Sequence, residues 1–320
     1  MSIKSKLLNY ILKKYIKNVQ PPVEERSYLE ARKMMNQKGY VDSNQPVIAK
    51  FLQQIIFNNK KSKISINEIK LGSIRTLDFY HSDFNSEKCI LYFHGGGYVA
   101  GSPETHQNLL LSLAKKSNIR IFAIDYSLSP ESNYPAAIED AIESYQALCA
   151  MGYKSKNIYF GGDSAGGNLT LVTILKLQQI SEDLPGKSFL LSPWTDLTGE
   201  GRSIKENSLT DPYLSYDDWL NTAKSMKKNV EEWYAPNQDY TNPLISPVFA
   251  NFKNFPQTLI QVSNIEILLS DSITISKHLK CGNNGVKLSI YKNLPHVWQI
   301  FEFLPESKKA VTEISNFLKD

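Results

Sequence analysis

The run Gly161-Gly162-Asp163-Ser164-Ala165-Gly166-Gly167 constrains what this chain can fold into more than any other feature. It follows a short strand-like run, Asn157-Ile158-Tyr159-Phe160, and precedes an apolar run from Leu169 to Ile180. That order reads as strand, sharp glycine turn and helix, with a serine at the apex. In such a setting G-x-S-x-G is a nucleophile elbow, a strained turn that lifts Ser164 clear of a sheet. Gly162 and Gly166 suit it, because a side chain at either position would crowd the adjoining strand or helix. Ser164 would also sit near a helix N-terminus, where backbone N–H groups face a developing negative charge. A glycine-flanked serine can equally be a plain turn, so the rest of the chain has to decide.

A second glycine cluster decides it. His94-Gly95-Gly96-Gly97-Tyr98 directly follows the apolar strand Cys89-Ile90-Leu91-Tyr92-Phe93. Acyl transfer needs donors aimed at a tetrahedral oxyanion, and consecutive glycines let backbone N–H groups approach closely. An HGGG run upstream of an elbow is the arrangement expected of an ester-cleaving oxyanion hole. The base must come from five histidines, His81, His94, His106, His278 and His296. On a scaffold of this kind the triad runs serine, acid, histidine, which leaves His278 and His296. His278 falls in a helical run, Ser272 to Lys280. His296 follows the alternating strand Val286–Lys292 and the turn Asn293-Leu294-Pro295, so a mobile imidazole there can reach a serine hydroxyl. His296 is the expected base. For the acid, Gln257–Ser263 reads as a buried parallel strand with Glu266 and Asp271 behind it. Glu266 lies nearer the strand end, whereas Asp271 also reads as the cap or first turn of the next helix. Loop position favours Glu266 and leaves Asp271 open.

These residues carry a resemblance. HGGGY at 94–98, DYSLSPESNYPAAIED at 125–140, GGDSAGGN at 161–168, LSPWTDLT at 191–198 and LPHVWQIF at 294–301 occur in order from about residue 64 onward. With them the chain resembles the hormone-sensitive lipase family of α/β-hydrolases, in its bacterial carboxylesterase branch. The resemblance implies Ser164 as nucleophile, His296 as base, Glu266 where members usually carry Asp, and Gly96, Gly97 and Ala165 at the oxyanion. It implies a small-molecule ester substrate, neutral and of short to medium acyl chain. A lactone is the alternative, since a similar-looking branch opens monoterpene lactones, and so is a non-catalytic ligand receptor, as in relatives that lost the histidine. The chain departs from the family at Ser127 and Ser129, where DYRLAPE is common, and at Ser263-Asn264-Ile265-Glu266, where Gly-Ser-Asp-Glu is common.

The remaining pattern fits. At 320 residues and 42% hydrophobic, the chain can bury a large core. Strands are expected near 64–70, 74–80, 88–93, 120–125, 157–161, 188–192, 257–263 and 286–292. Helices are expected near 103–117, 135–150, 165–180, 271–281 and 306–319, the first started by Ser102 as N-cap and Pro103 at N1. Alternation of this kind predicts an α/β fold, a mostly parallel eight-stranded sheet with helices on both faces, opened by an antiparallel hairpin. The resemblance adds a helical cap built from residues 1–60 and from 203–245, inserted between core parts 61–202 and 246–320. A cap excludes water and shapes an apolar pocket, with Tyr98, Trp194, Tyr213, Trp219 and Trp298 as candidate walls.

Ile3, Leu7, Leu8, Ile11, Leu12 and Ile16 form an apolar helical stripe beside Lys4, Lys6, Lys13, Lys14 and Lys17. Such a helix docks on the protein body or lies on an anionic membrane; docking is the expectation. Lysines interrupt any signal-peptide core and no small-residue cleavage site follows, so a cytoplasmic location is expected. The three cysteines have no metal-like or CxxC spacing, and Cys89 and Cys149 read as reduced core residues. A net charge of +4 spread over dispersed lysines gives no nucleic-acid footprint. No dinucleotide, Walker or zinc motif appears, so no cofactor or metal is expected. The oligomeric state, homodimer included, is left open.

Overall fold

The computed structural model describes residues 1–16, 22–36, 63–216 and 218–320. Among them, eight strands form one sheet: β1 (Ser65–Leu71), β2 (Ile74–Tyr80), β3 (Asn85–Phe93), β4 (Ile119–Ile124), β5 (Ile158–Asp163), β6 (Lys187–Leu191), β7 (Gln257–Ser263) and β8 (Val286–Tyr291). Their order in space is β1-β2-β4-β3-β5-β6-β7-β8. β2 pairs antiparallel with both β1 and β4, and from β4 to β8 every pairing is parallel. The hairpin and the parallel body are therefore as the alternation implies. β3 starts earlier than its apolar run, because Asn85 pairs with Ile119 before a register shift at Cys89; the polar stretch 85–88 hides that bond from a hydropathy reading.

Period-two alternation sends side chains from each strand into two separate cores. Cys89, Leu91 and Phe93 point to one face with Phe160, Leu190 and Ile260. Ile90 and Tyr92 point to the other, with Tyr159, Phe189 and Leu259. The first face is covered by α4 (Ala136–Ala150), α5 (Ala165–Gln179) and α8 (Leu269–Cys281), the second by α3 (Gln107–Ser117) and α9 (Pro305–Lys319). α3 begins later than Ser102-Pro103 suggests. A 3₁₀ turn, Glu104–His106, precedes it, with Thr105 Oγ1 bonded to the N–H and C=O of Ser102. Cys89 is buried, Cys149 is half-buried and Cys281 is exposed, and all three are free thiols.

Outside this sandwich lie α1 (Ile3–Ile11) and α2 (Tyr28–Asn36) in the N-terminal segment, and α6 (Arg202–Asn207) and α7 (Trp219–Lys228) in the insertion. The expected helical segment 1–60 extends over residues 17–21 and 37–60, and Lys17 with it, outside the described residues. α1 buries Leu8 and Ile11, continued by Leu12, against Leu294, Trp298, Phe301 and Leu304. Docking on the body is thus observed for part of the stripe. Ser2 and Ser5 fasten the same helix to the Glu306 carboxylate at the start of α9.

β5 and α5 meet more closely than side chains allow. A Cβ on Gly162 would lie 2.2 Å from the Gly166 carbonyl oxygen, and one on Gly166 would lie 2.0 Å from that of Phe93. Gly166→Ala is therefore expected to destabilise by about 3 kcal/mol or more through overpacking against backbone. A thermal scan should show the midpoint lowered by roughly 5 °C or more; an unchanged midpoint would mean that the elbow can spread.

Candidate active site

Because β5, β6, β7 and β8 are parallel, the segments following them gather at one edge of the sheet. Ser164 stands at the end of β5 with φ 53° and ψ −119°, a left-handed backbone that a serine adopts only when its surroundings hold it there. Two bonds to the segment after β6 do so: Ser164 N–H donates to Leu191 C=O at 2.9 Å, and Trp194 N–H donates to Ser164 C=O at 3.0 Å. Ala165 is the first residue of α5, so its N–H has no intrahelical acceptor and belongs to the positive end of the helix. Gly96 and Gly97 take φ values of +127° and +63° in the turn after β3. A Cβ on Gly96 would fall 2.0 Å from the Ala100 carbonyl oxygen, so this turn can be made only with glycine.

His296 and Glu266 are brought together. His296 Nδ1 lies 2.7 Å from Glu266 Oε2, and both side chains are buried. The other carboxylate oxygen accepts from Ser192 Oγ at 2.9 Å and from Ser263 N–H at 2.7 Å. Burial drives the Glu266 carboxyl above its ordinary pKa, opposed by its bond to His296. Val297, next to the imidazole, is held at φ 47°, a strained conformation for a β-branched residue. Asp271 lies elsewhere. It is buried in the first turn of α8, where Oδ2 accepts the N–H groups of Thr195 and Asp196, each at 2.8 Å. Burial beside the Asp196 charge raises it to about 8.

The candidate wall residues divide. Tyr213 stacks at 6.3 Å from the His296 ring and faces the site. Trp194 is largely buried, and its backbone carbonyl accepts from Asn168 at 2.9 Å. Tyr98 is buried, stacked at 3.9 Å on Tyr234 with its hydroxyl 2.8 Å from Asn168 Oδ1. Trp298, also read as a wall, is fully buried in the α1 cluster. Trp219 stands exposed under the Lys205 ammonium, 5.4 Å away. Both aromatics belong to segments whose packing partners are distant in sequence.

Sequence reasoning missed a buried network under the elbow. Asp163 Oδ1 accepts from Tyr92 Oη at 2.8 Å and from Gly95 N–H at 3.0 Å, and Oδ2 lies 3.2 Å from His106 Nε2. One carboxylate thus joins the residue before the serine to the first glycine of the oxyanion turn. His106 had been set aside because it precedes Ser164; Asp163 stood inside the motif and gave no separate signal. Also missed was Arg32 of α2, whose guanidinium donates to Val99 C=O and Ser129 C=O, each at 2.9 Å, and pairs with Glu131 at 2.7 Å. The N-terminal segment is thereby fastened to the turn that carries Gly96 and Gly97. Asp211 does the same for the insertion, its Oδ2 accepting Ile267 N–H at 3.0 Å behind Glu266. Among the described residues, no group of three or more His, Cys, Asp or Glu converges as a metal-ligand set.

With this geometry established, the comparisons are informative. The family described as alpha/beta hydrolase fold matches residues 90–300. An esterase of Acinetobacter venetianus is 31% identical over 255 residues, covering 79% of this chain and 82% of that protein. An acetyl-hydrolase of Streptomyces hygroscopicus is 30% identical over 233 residues, covering 72% and 75%. The crystal structure of an esterase from the bacterial hormone-sensitive lipase family superposes with a TM-score of 0.78 at 29% identity, over 94% of this chain and 98% of that one. EstE5, soaked with p-nitrophenyl butyrate, superposes at 0.83 with 28% identity over 99% and 98%. The chain belongs to the hormone-sensitive lipase family of α/β-hydrolases. It is a carboxylic ester hydrolase.

The Asp163–His106 pair has a pH signature. His106 Nδ1 faces two acceptors, Thr105 Oγ1 at 2.8 Å and Ser102 C=O at 3.2 Å, and Nε2 faces the carboxylate, so both nitrogens suit the protonated ring. Burial opposes that charge, but Asp163 outweighs burial and raises the His106 pKa. Burial likewise opposes the Asp163 carboxylate, and His106 and Tyr92 outweigh it and hold its pKa low. A raised histidine stabilises fully below its unfolded value of about 6.5 and loses that contribution as pH rises through the folded value. The Asp163 contribution is lost only at acid pH, below the ordinary carboxylate range. His106→Gln should therefore cost more unfolding free energy at pH 6 than at pH 9, as read by urea titration at each pH; equal costs would show a neutral ring.

Proposed function

We propose that this enzyme is a serine carboxylesterase working through Ser164, His296 and Glu266 on short- to medium-chain neutral esters. The observation that carries the reading is the buried 2.7 Å pair between His296 and Glu266, on the same sheet edge as the strained serine elbow. Ser164 Oγ attacks the ester carbonyl carbon while His296 Nε2 takes its proton, and Glu266 fixes the tautomer through Nδ1–H and stabilises the imidazolium. The oxyanion accepts from the N–H groups of Gly96, Gly97 and Ala165, each important donor contributing about 3–4 kcal/mol. His296 returns its proton to the departing alcohol oxygen. A water, deprotonated by the same histidine, then attacks the acyl-enzyme and releases the acid and free serine. No step calls for a cofactor.

Arg32 and Asp211 support a cap made of the N-terminal segment and the 203–245 insertion, since each ties one of them to a loop of the site. Tyr213 is proposed as a wall of the acyl or alcohol pocket, from its position over the imidazole.

Hydrolysis of p-nitrophenyl esters from acetate to decanoate tests the reading. Activity should peak at short or medium chains and vanish in Ser164→Ala; an inactive, folded protein would shift the assignment to lactones or to ligand binding. Glu266→Gln should lower kcat by about 10³- to 10⁴-fold with KM little changed, through the wrong histidine tautomer. Asp271→Asn should keep kcat within about ten-fold, because its bonds run to the 195–196 backbone. The reverse ranking would move the acid to Asp271.

A further inference from the structure

α1 also presents an exposed apolar row. Ile3, Leu7 and Tyr10 succeed one another at spacings of four and three, which places them on one side of the helix. They are 85%, 58% and 59% exposed, while Leu8 and Ile11, turned toward the protein body, are buried. Single exposed hydrophobics are ordinary; a row of three on one helix face is not. Exposed Lys6, Lys13 and Lys14 border the row, with the Lys14 ammonium 5.6 Å from the Tyr10 ring. Residues 1–16 hold four lysines and no Asp or Glu.

The surface continues onto the insertion. Lys13 Nζ reaches the Leu209 carbonyl oxygen at 3.4 Å, setting Leu209, 64% exposed, beside the helix. Elsewhere on the insertion, Trp219 and Leu220 are also exposed, with Lys205 over the indole. The other side of the same helix reaches toward the candidate site. The buried side of α1 lies in one cluster with Tyr213, Leu294 and Trp298, the residues around the His296 loop.

We infer that this face docks on an anionic lipid surface, with Ile3, Leu7, Tyr10 and Leu209 entering the headgroup boundary and the lysines lying among lipid phosphates. Apolar side chains ringed by like-signed cations are the composition of an interfacial helix. A second copy of the chain fits poorly, because a two-fold contact would set the lysines of one patch against those of the other. Bound this way, the enzyme would meet esters dissolved in the bilayer. That consequence rests on the esterase reading, whereas the docking does not.

The test uses the full-length protein and co-sedimentation with vesicles. Vesicles of phosphatidylcholine with about 30 mol % phosphatidylglycerol should bind it at least about ten-fold better than phosphatidylcholine alone, and salt near 0.5 M should weaken binding. The double variant Leu7→Glu/Tyr10→Glu should lose binding by at least about ten-fold while hydrolysing soluble p-nitrophenyl butyrate at the parent rate, which also reports that it is folded. Absence of binding to anionic vesicles, or equal binding by the double variant, would overturn the inference. So would a dimer in light scattering that the double variant splits into monomers, because a second copy would then cover this face.

Discussion

The buried carboxylate of Asp163 is the interaction on which the rest of the site depends. It belongs to the elbow, yet its partners come from β3, from the turn after β3 and from the 3₁₀ turn before α3. A lone carboxylate in this interior would be driven to its neutral form. Burial opposes its charge, but the His106 ring and the Tyr92 hydroxyl outweigh burial and lower its pKa, while it also accepts the Gly95 N–H. The serine turn and the glycine turn are thus set against each other by a charge, and the close backbone contacts of Gly162 and Gly166 leave little room for either to move.

A second set of polar contacts fixes the acid and base. Ser192 follows β6 between the residues that hold Ser164 from either side, Leu191 and Trp194, and its hydroxyl donates to Glu266. One short loop therefore holds both the Ser164 backbone and the carboxylate that pairs with His296. With two donors on Oε1 and the imidazole on Oε2, Glu266 is held at both oxygens. The extra methylene of Glu relative to Asp is absorbed by this cradle rather than left as slack.

The segments beyond the sandwich are fastened by polar side chains as well as by apolar packing, with Ile204, Val230 and Tyr234 of the insertion in the main core and Tyr28 and Met35 of α2 against Val99, Ala100 and Trp233. Arg32 reaches backbone carbonyls beside the oxyanion turn, and Asp211 caps the loop carrying Glu266. Such contacts specify geometry at modest energetic gain, since each replaces bonds to water. α1 likewise has one side in an apolar cluster. Its other side keeps an apolar row in solvent, which costs stability and is explained by a surface that covers it.

The sequence by itself determined the fold class, the hairpin and parallel order, and the local structure around each candidate site residue. Period-two runs, helical periodicity and glycine turns are dictated by neighbours within a few residues. Ser164, Gly96 and Gly97 were legible for that reason, and His296 and Glu266 from their places just past strand ends. Local pattern could not show contacts made across long sequence separations. His106 under Asp163, Ser192 beneath Glu266 and Arg32 on the glycine turn lie 57, 74 and 67 residues from those partners. Nor could it divide the α1 stripe into a docked and an exposed side, or bury Trp298 against α1. Those outcomes were decided by the tertiary structure, because burial and electrostatic pairing depend on which distant segments the sheet brings to one edge.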